Sequence, residues 1–296
     1  MKRFLIISAM ATLVLSACSK SDFQPSVVSD QMRFKVEYPM TRATATTFEV
    51  GDAMGVFVVE YDGDMPSSLQ VSGNYANNVK STFDGTAWNN SSPIYWSDGK
   101  FDVYAYYPFD KPKSVDEYVF NVSLDQSVEA TSETLSGYEA SDLLWAKATG
   151  VSRMDYVPLT FKHCLSKLVI NFVKGDDYSG DLPEEAVVRV HSTIPSAIVD
   201  LATGVVTKNG YDSAKTITAK KVSDGVYTAI VVPQRLENKV PLIEVVTNGV
   251  SYLVEMKFVF RSSTQHVVNL ILNDNPDNIR IEIGGEIVGW NDGETK

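Results

Sequence analysis

LIEVVTNGVSYLVEMKF, residues 242–258, sets two apolar, β-branched runs on either side of Asn248-Gly249. Asn-Gly supplies the two consecutive left-handed positions of a two-residue hairpin turn, and Val, Ile and Tyr suit a pleated, half-buried surface. The stretch predicts an antiparallel hairpin, and its neighbours repeat the theme. HVVNLIL (266–272) and NIRIEIGGEIVGW (278–290) follow it as strands. GVYTAIVVPQ (225–234), VVRVHS (187–192) and LSKLVINFV (165–173) precede it, the last with Leu168, Ile170 and Phe172 alternating. AIVDLATGVVTK (197–208) reads as a second hairpin around Ala202-Thr203-Gly204. Turn signals about every eight to twelve residues, with no long amphipathic helix between them, predict antiparallel sandwiches rather than an α/β fold.

The first half is less regular. Val56–Val59 reads as a strand turned by Asp62-Gly63-Asp64, and residues 72–92 as a long polar loop around a short strand at Ser81–Phe83. FDVYAYYPF (101–109) places Phe101, Val103, Ala105 and Tyr107 on one face and Tyr104 and Tyr106 on the other. Bulk on both faces predicts a central strand, ended by Pro108. A short helical turn is expected over Ser132–Tyr138. GDDYSGDLPEE (175–185) is the most linker-like internal stretch, so a domain boundary is expected within 157–185, with a long loop as the alternative reading.

The totals bound the function. With 296 residues, 44% hydrophobic and 21% charged, the chain is globular and long enough for two domains or one large β-domain. Its net charge of −11 lacks the basic footprint of a nucleic-acid binder and is repelled by an anionic membrane surface. Lys2-Arg3, the apolar run Phe4–Leu15 and Leu15-Ser16-Ala17-Cys18 fall in the order of an export signal. They resemble the lipobox of bacterial lipoproteins, in which Cys18 is acylated (palmitate or a similar chain) and becomes the mature N-terminus. Residues 1–17 would be the signal peptide and 18–30 a polar tether. Cys164 is then the remaining thiol, and in FKHCLSKL it reads as a small core hydrophobe, so no internal disulfide is expected.

Catalytic chemistry is sparse. His163, His191 and His266 lie apart in sequence with no metal-ligand spacing, and each reads as a satisfied or solvated histidine. Asp176-Asp177 and Glu184-Glu185 read as a solvated acidic loop. Asp62-Gly63-Asp64 and Asn273–Asp277 match no recognised calcium loop. Trp88, Trp96, Trp145 and Trp290 form a sugar platform only if exposed together, and core packing is the commoner use. There is no phosphate loop, GxSxG or HExxH. No enzyme activity, metal or cofactor is expected.

One stretch joins a strand to a cleavable bond. In MRFKVEYPMTRAT (32–44), Met32, Phe34, Val36, Tyr38 and Met40 alternate with polar residues and lead to Arg42-Ala43. Together with FEVGDAMGVFVV, PIYWSDGKFDVYAYYPF, SDLLWAKATG, VPLTFKHCLSKLVINF, VDLATGVV, YTAIVVPQ and IVGWNDG, in that order, the chain resembles the Bacteroidales fimbrillins (Mfa-like and FimA-like type V pilus subunits and accessory lipoproteins). The resemblance covers about residues 13–293. It implies an all-β chain of two tandem transthyretin-like antiparallel β-sandwich domains, 43–165 and 166–296. It also implies export to the cell outer membrane on a lipid anchor and a cut between Arg42 and Ala43 by a trypsin-like, arginine-specific protease. Release of residues 31–42 would open a groove for a strand from another fimbrillin subunit. Ile279, Ile281 and Ile283, or Ile287 and Trp290, suit a donor strand in pattern, and equally an ordinary closing strand. The function so implied is a subunit or accessory protein of an adhesive fimbria. The alternative is a non-polymerising surface lipoprotein that binds host protein or glycan.

Overall fold

The structure, a computed structural model, describes residues 29–37 and 48–288. Among them the alternating runs fold as β1 (Phe34–Glu37), β2 (Ala53–Asp62), β3 (Met65–Pro66), β4 (Ala76–Phe83), β5 (Trp88–Asn90), β6 (Phe101–Tyr107), β7 (Tyr118–Asn121), β8 (Leu144–Val151), β9 (Val157–Thr160) and β10 (Lys162–His163). They continue as β11 (Ser166–Lys174), β12 (Val187–Thr193), β13 (Ser196–Asp200), β14 (Val205–Lys208), β15 (Lys215–Thr218) and β16 (Lys220–Ser223). The last are β17 (Val226–Val231), β18 (Gln234–Thr247), β19 (Val250–Phe260), β20 (Thr264–Leu272) and β21 (Arg280–Val288). Two 3-10 turns are the only helical elements among the described residues, so the chain is all-β.

The hairpin that opens the sequence reading forms between β18 and β19, with Thr247 opposite Val250 and positive φ at both Asn248 and Gly249. β18 and β19 extend the sheet β15-β12-β18-β19, and β16-β17-β11-β20-β21 makes a second sheet. Between them lie Leu168, Ile170, Val188, Val190, Ile243, Val245, Val268 and Leu270, all fully buried. Two pairings depart from the antiparallel expectation: β11 runs parallel to β20, and β1 parallel to β9. A parallel neighbour needs a long crossover, and the eight strands between β11 and β20 provide one. Residues 175–185 connect β11 to β12, which belong to different sheets, and their paired acids are exposed. The Asp274 carboxylate ties this loop down by accepting the Ser179 N–H and Oγ at 2.9 and 2.7 Å.

In the first half, β10-β8-β6-β2-β4-β5 form one sheet, with β3 attached to β2. β6 is buried along its whole length between β2 and β8, as its two bulky faces predict. Residues 72–92 carry more strand than expected, because β4 starts at Ala76 and β5 follows. Asn78, at φ 44, absorbs a kink that the polar composition disguised as loop. The helical turn also moves, from the expected 132–138 to Glu139–Ser141. Ser136 and Glu139 explain the shift: Ser136 Oγ accepts the Glu139 N–H while Glu139 Oε2 accepts the Ser136 N–H, both at 3.1 Å. This reciprocal pair of bonds fixes the backbone that leads into the turn.

The halves are not joined by one crossing of the chain. From Tyr107, paired to Leu144, residues 108–143 leave the first sheet and return to it. On the way β7 pairs with β13 in the sheet β14-β13-β7. Gln126, fully buried, accepts the Ile230 N–H and donates Nε2 to the Ile230 carbonyl, each at 2.8 Å. Phe57, Tyr104 and Tyr106 of the first sheet thus share a core with Tyr118, Phe120 and the second half.

A second tie is the β13–β14 hairpin. Trp145 Nε1 donates to the Leu201 carbonyl at 2.8 Å, and the indole lies under Gly204, which has φ +70. A Cβ there would stand 2.6 Å from Trp145 Cδ2. Gly204→Ala is therefore expected to lower stability by about 1–3 kcal/mol through overpacking and left-handed strain. Urea unfolding checks this, and an unchanged midpoint would remove the indole seat from the account.

Candidate functional site

The strand at the start of the described chain is built into the core rather than laid on it. Met32 and Phe34 are 1% and 3% exposed and Val36 is partly buried. They face Met54, Val56, Val58 and Phe101 of the first sheet within one hydrophobic cluster. The opposing layer is thin. β1 and β9 make a two-stranded sheet in the register Phe34–Val157, Lys35–Pro158, Val36–Leu159 and Glu37–Thr160.

Backbone bonds continue on both sides of the segment. The Met32 N–H donates to Ile94 O at 2.7 Å, Trp96 N–H to Asp30 O at 2.8 Å, and Val157 N–H to Arg33 O at 2.8 Å. At the rim, Arg153 Nη1 meets Asp30 Oδ1 at 2.6 Å and the Arg33 guanidinium lies 5.7 Å from the Tyr156 ring centre. Pro158 has no N–H, and among the described residues β9 has no strand partner but β1. Taking β1 away would bare the backbone of β9 and an apolar trough lined by Val157, Leu159, Ile94 and Trp96. The sequence names Trp96 only as a candidate sugar platform and holds the other three within family motifs, so their role as the seat of β1 was not foreseen. The alternation of Val157, Leu159 and Phe161 was the available signal, but period-2 patterning reveals a buried face and not its partner.

Phe48 packs its ring edge-on against Trp88, Tyr107 and Phe161 at 4.8, 5.2 and 5.9 Å. Cys18, Tyr38, Met40, Arg42, Ala43 and Trp290 lie outside the described residues.

At the other end, β21 pairs antiparallel with β20 at the edge of its own sheet, so β1 and β21 belong to different sheets. Ile279 and Ile281 pack partly buried against the larger core, whereas Ile283 is 55% exposed beside a register shift at Gly284-Gly285. Ile287 lies in the ladder opposite Gln265.

The groups that could carry other chemistry are engaged in structure. His163 Nδ1 is 2.9 Å from Asp142 Oδ1. His191 bridges Thr216 Oγ1 and Glu244 Oε2 at 2.9 and 3.1 Å. His266 Nε2 accepts the Arg261 N–H at 3.1 Å. Burial pushes the Cys164 thiol up to about 12, which keeps it protonated and a poor nucleophile. Trp88 and Trp96 are buried, so they offer no exposed platform. Among the described residues no three candidate ligands converge as a metal site.

A model of the fimbrillin-like family matches residues 41–290. The chain belongs to the fimbrillin-like family. Solved structures agree in fold. A putative cell adhesion protein from Bacteroides ovatus ATCC 8483 superposes with TM-score 0.68 at 19% identity, over 90% of this chain and 98% of its own. A putative cell adhesion protein from Bacteroides uniformis ATCC 8492 gives TM-score 0.62 at 19% identity, over 85% and 95%. No curated protein shows a significant match. In this fimbrillin-like chain the family model's match begins one residue before Arg42, so β1 precedes the matched residues while the trough that holds β1 lies among them.

Proposed function

We propose that this fimbrillin-like protein is a structural or accessory subunit of an adhesive surface fimbria, built from two tandem transthyretin-like sandwiches. In this reading it is exported as a lipoprotein acylated on Cys18 and held at the outer membrane. A trypsin-like protease cuts after Arg42, and the subunit then assembles by strand exchange. The observation that carries the reading is the seat of β1: a buried strand in a two-stranded layer, upstream of the arginine and of the residues that the family model matches. Loss of β1 would uncover backbone donors and apolar side chains together, the template to which an extended strand adds. Met32, Phe34 and Val36 contribute about 1.5–3 kcal/mol each when fully buried, so an incoming strand needs a comparable apolar set.

A second reading is a permanently anchored surface lipoprotein that binds host protein or glycan. The pairing of β21 within its own sheet favours it, since a docked strand is not a free donor. Limited digestion of the purified precursor separates the two. Fimbrial assembly predicts one clean cut and a ladder of oligomers on a sizing column, both lost in Arg42→Ala. A cut protein that stays monomeric would sink the assembly reading. Ile281→Asp should block laddering only if β21 is the donor.

A further inference from the structure

A cleft of about 730 Å³ opens beside the start of β2. One wall is Phe48–Ala53 with Tyr107–Phe109, the other is the outer face of the five-stranded sheet, and residues 130–135 roof it. Its acids are largely committed. Asp52 accepts the Tyr107 hydroxyl at 3.0 Å and the Glu49 N–H at 2.7 Å, Asp142 holds His163, and Glu139 caps the 3-10 turn. Glu49 and Glu133 stand exposed at the rim.

Two cations are different. Lys80 Nζ lies 5.6 Å from the Phe109 ring centre and Lys220 Nζ 5.7 Å from that of Tyr138. Neither has a carboxylate partner among the described residues, in a chain that carries 37 acids. Directly across the ladder from Lys220 is Thr228, 4% exposed, whose Oγ1 has no hydrogen-bond partner. A buried hydroxyl left in that state calls for an explanation. Gln265, 3% exposed, lines the same wall.

We propose that this cleft binds an acidic oligosaccharide. A carboxylate-bearing pyranose uses each element at once: ammonium for the acid, aromatic ring for the sugar face, and the Thr228 hydroxyl and Gln265 amide for ring hydroxyls. The volume suits roughly two to four sugar rings. A nucleotide fits poorly, because phosphate cradles are built from glycine-rich loops and α-helix N-termini, and among the described residues the cleft is lined by neither, its one helical turn being three residues long and starting on Glu139. The proposal does not rest on strand exchange, and its assay uses the uncut chain, so either reading can fail alone.

The test is titration calorimetry of the uncut protein with 3′-sialyllactose, digalacturonate, lactose, sodium sulfate and a glutamate tetrapeptide. At least one acidic sugar should bind about tenfold tighter than lactose and weaken as salt is raised. Lys220→Gln and Thr228→Val should each weaken it about five- to tenfold while the melting temperature stays that of the parent. Absence of binding by both acidic sugars overturns the proposal, as does lactose binding equally well. Displacement of the sugar by sulfate at equal concentration would mean a simple anion site, and displacement by the peptide a peptide site. Either result also overturns it.

Discussion

Phe34→Ala in the uncut protein is expected to cost about 3–5 kcal/mol, because the phenyl ring is 3% exposed in a closed cluster and its loss leaves a cavity. At roughly 2–4 °C per kcal/mol for a protein of this size, the melting temperature should fall by on the order of 10 °C. Trp88 and Trp96 belong to the same cluster, so tryptophan fluorescence reports the change directly. Arg33→Ala, an exposed neighbour, should move the midpoint little. If Phe34→Ala melted with the parent protein, β1 would be an ornament of the first half and not one side of it. The same measurement made on protein cut after residue 42 would give the stabilisation that an incoming strand has to restore.

Asp102→Ala is the second large effect, about 3–5 kcal/mol. Asp102 is fully buried as the second residue of an otherwise apolar strand. Its Oδ1 accepts the Tyr61 hydroxyl and the Gly150 N–H, both at 2.9 Å, and its Oδ2 meets Lys147 Nζ at 3.0 Å. Gly150, at φ +64, sits where the β6–β8 register shifts between Phe101 and Val103, so the carboxylate satisfies a backbone donor that the ladder drops. Alanine would leave these donors, and the Tyr104 hydroxyl 3.5 Å from Oδ2, without their acceptor. Asp102→Asn keeps an acceptor and should cost less, while adding Lys147→Met to Asp102→Ala should recover part of the loss by removing the uncompensated ammonium. Denaturant titration of the parent, Asp102→Ala, Lys147→Met and the double variant as a double-mutant cycle gives the coupling. A coupling near zero would mean that solvent, rather than Asp102, carries the lysine.

The elements legible in the sequence were those whose signal is local. The Asn248-Gly249 turn needs only two adjacent residues that accept positive φ, and β6 needs only its own alternation. The β13–β14 hairpin announced itself in the same way through Gly204. What stayed hidden depends on partners far along the chain. The alternation of Met32, Phe34 and Val36 gave the buried face of β1. Its parallel match to Val157–Thr160 is a choice among edges that no periodicity encodes. The path of residues 108–143 was equally hidden: Tyr118, Phe120 and Val122 alternate as a strand, but nothing in that short period names the distant Ile230, Thr218 and β13 from which the segment borrows its hydrogen bonds.

That excursion has a mechanical consequence. A surface protein is pulled, and a pull that parts the two halves cannot simply stretch the short junction between β10 and β11. It must break the β7–β13 ladder, draw the Gln126 amide out from Ile230 and lift Trp145 from beneath Gly204 in one event. Tension is then carried by several strands at once, and the two halves yield together or not at all.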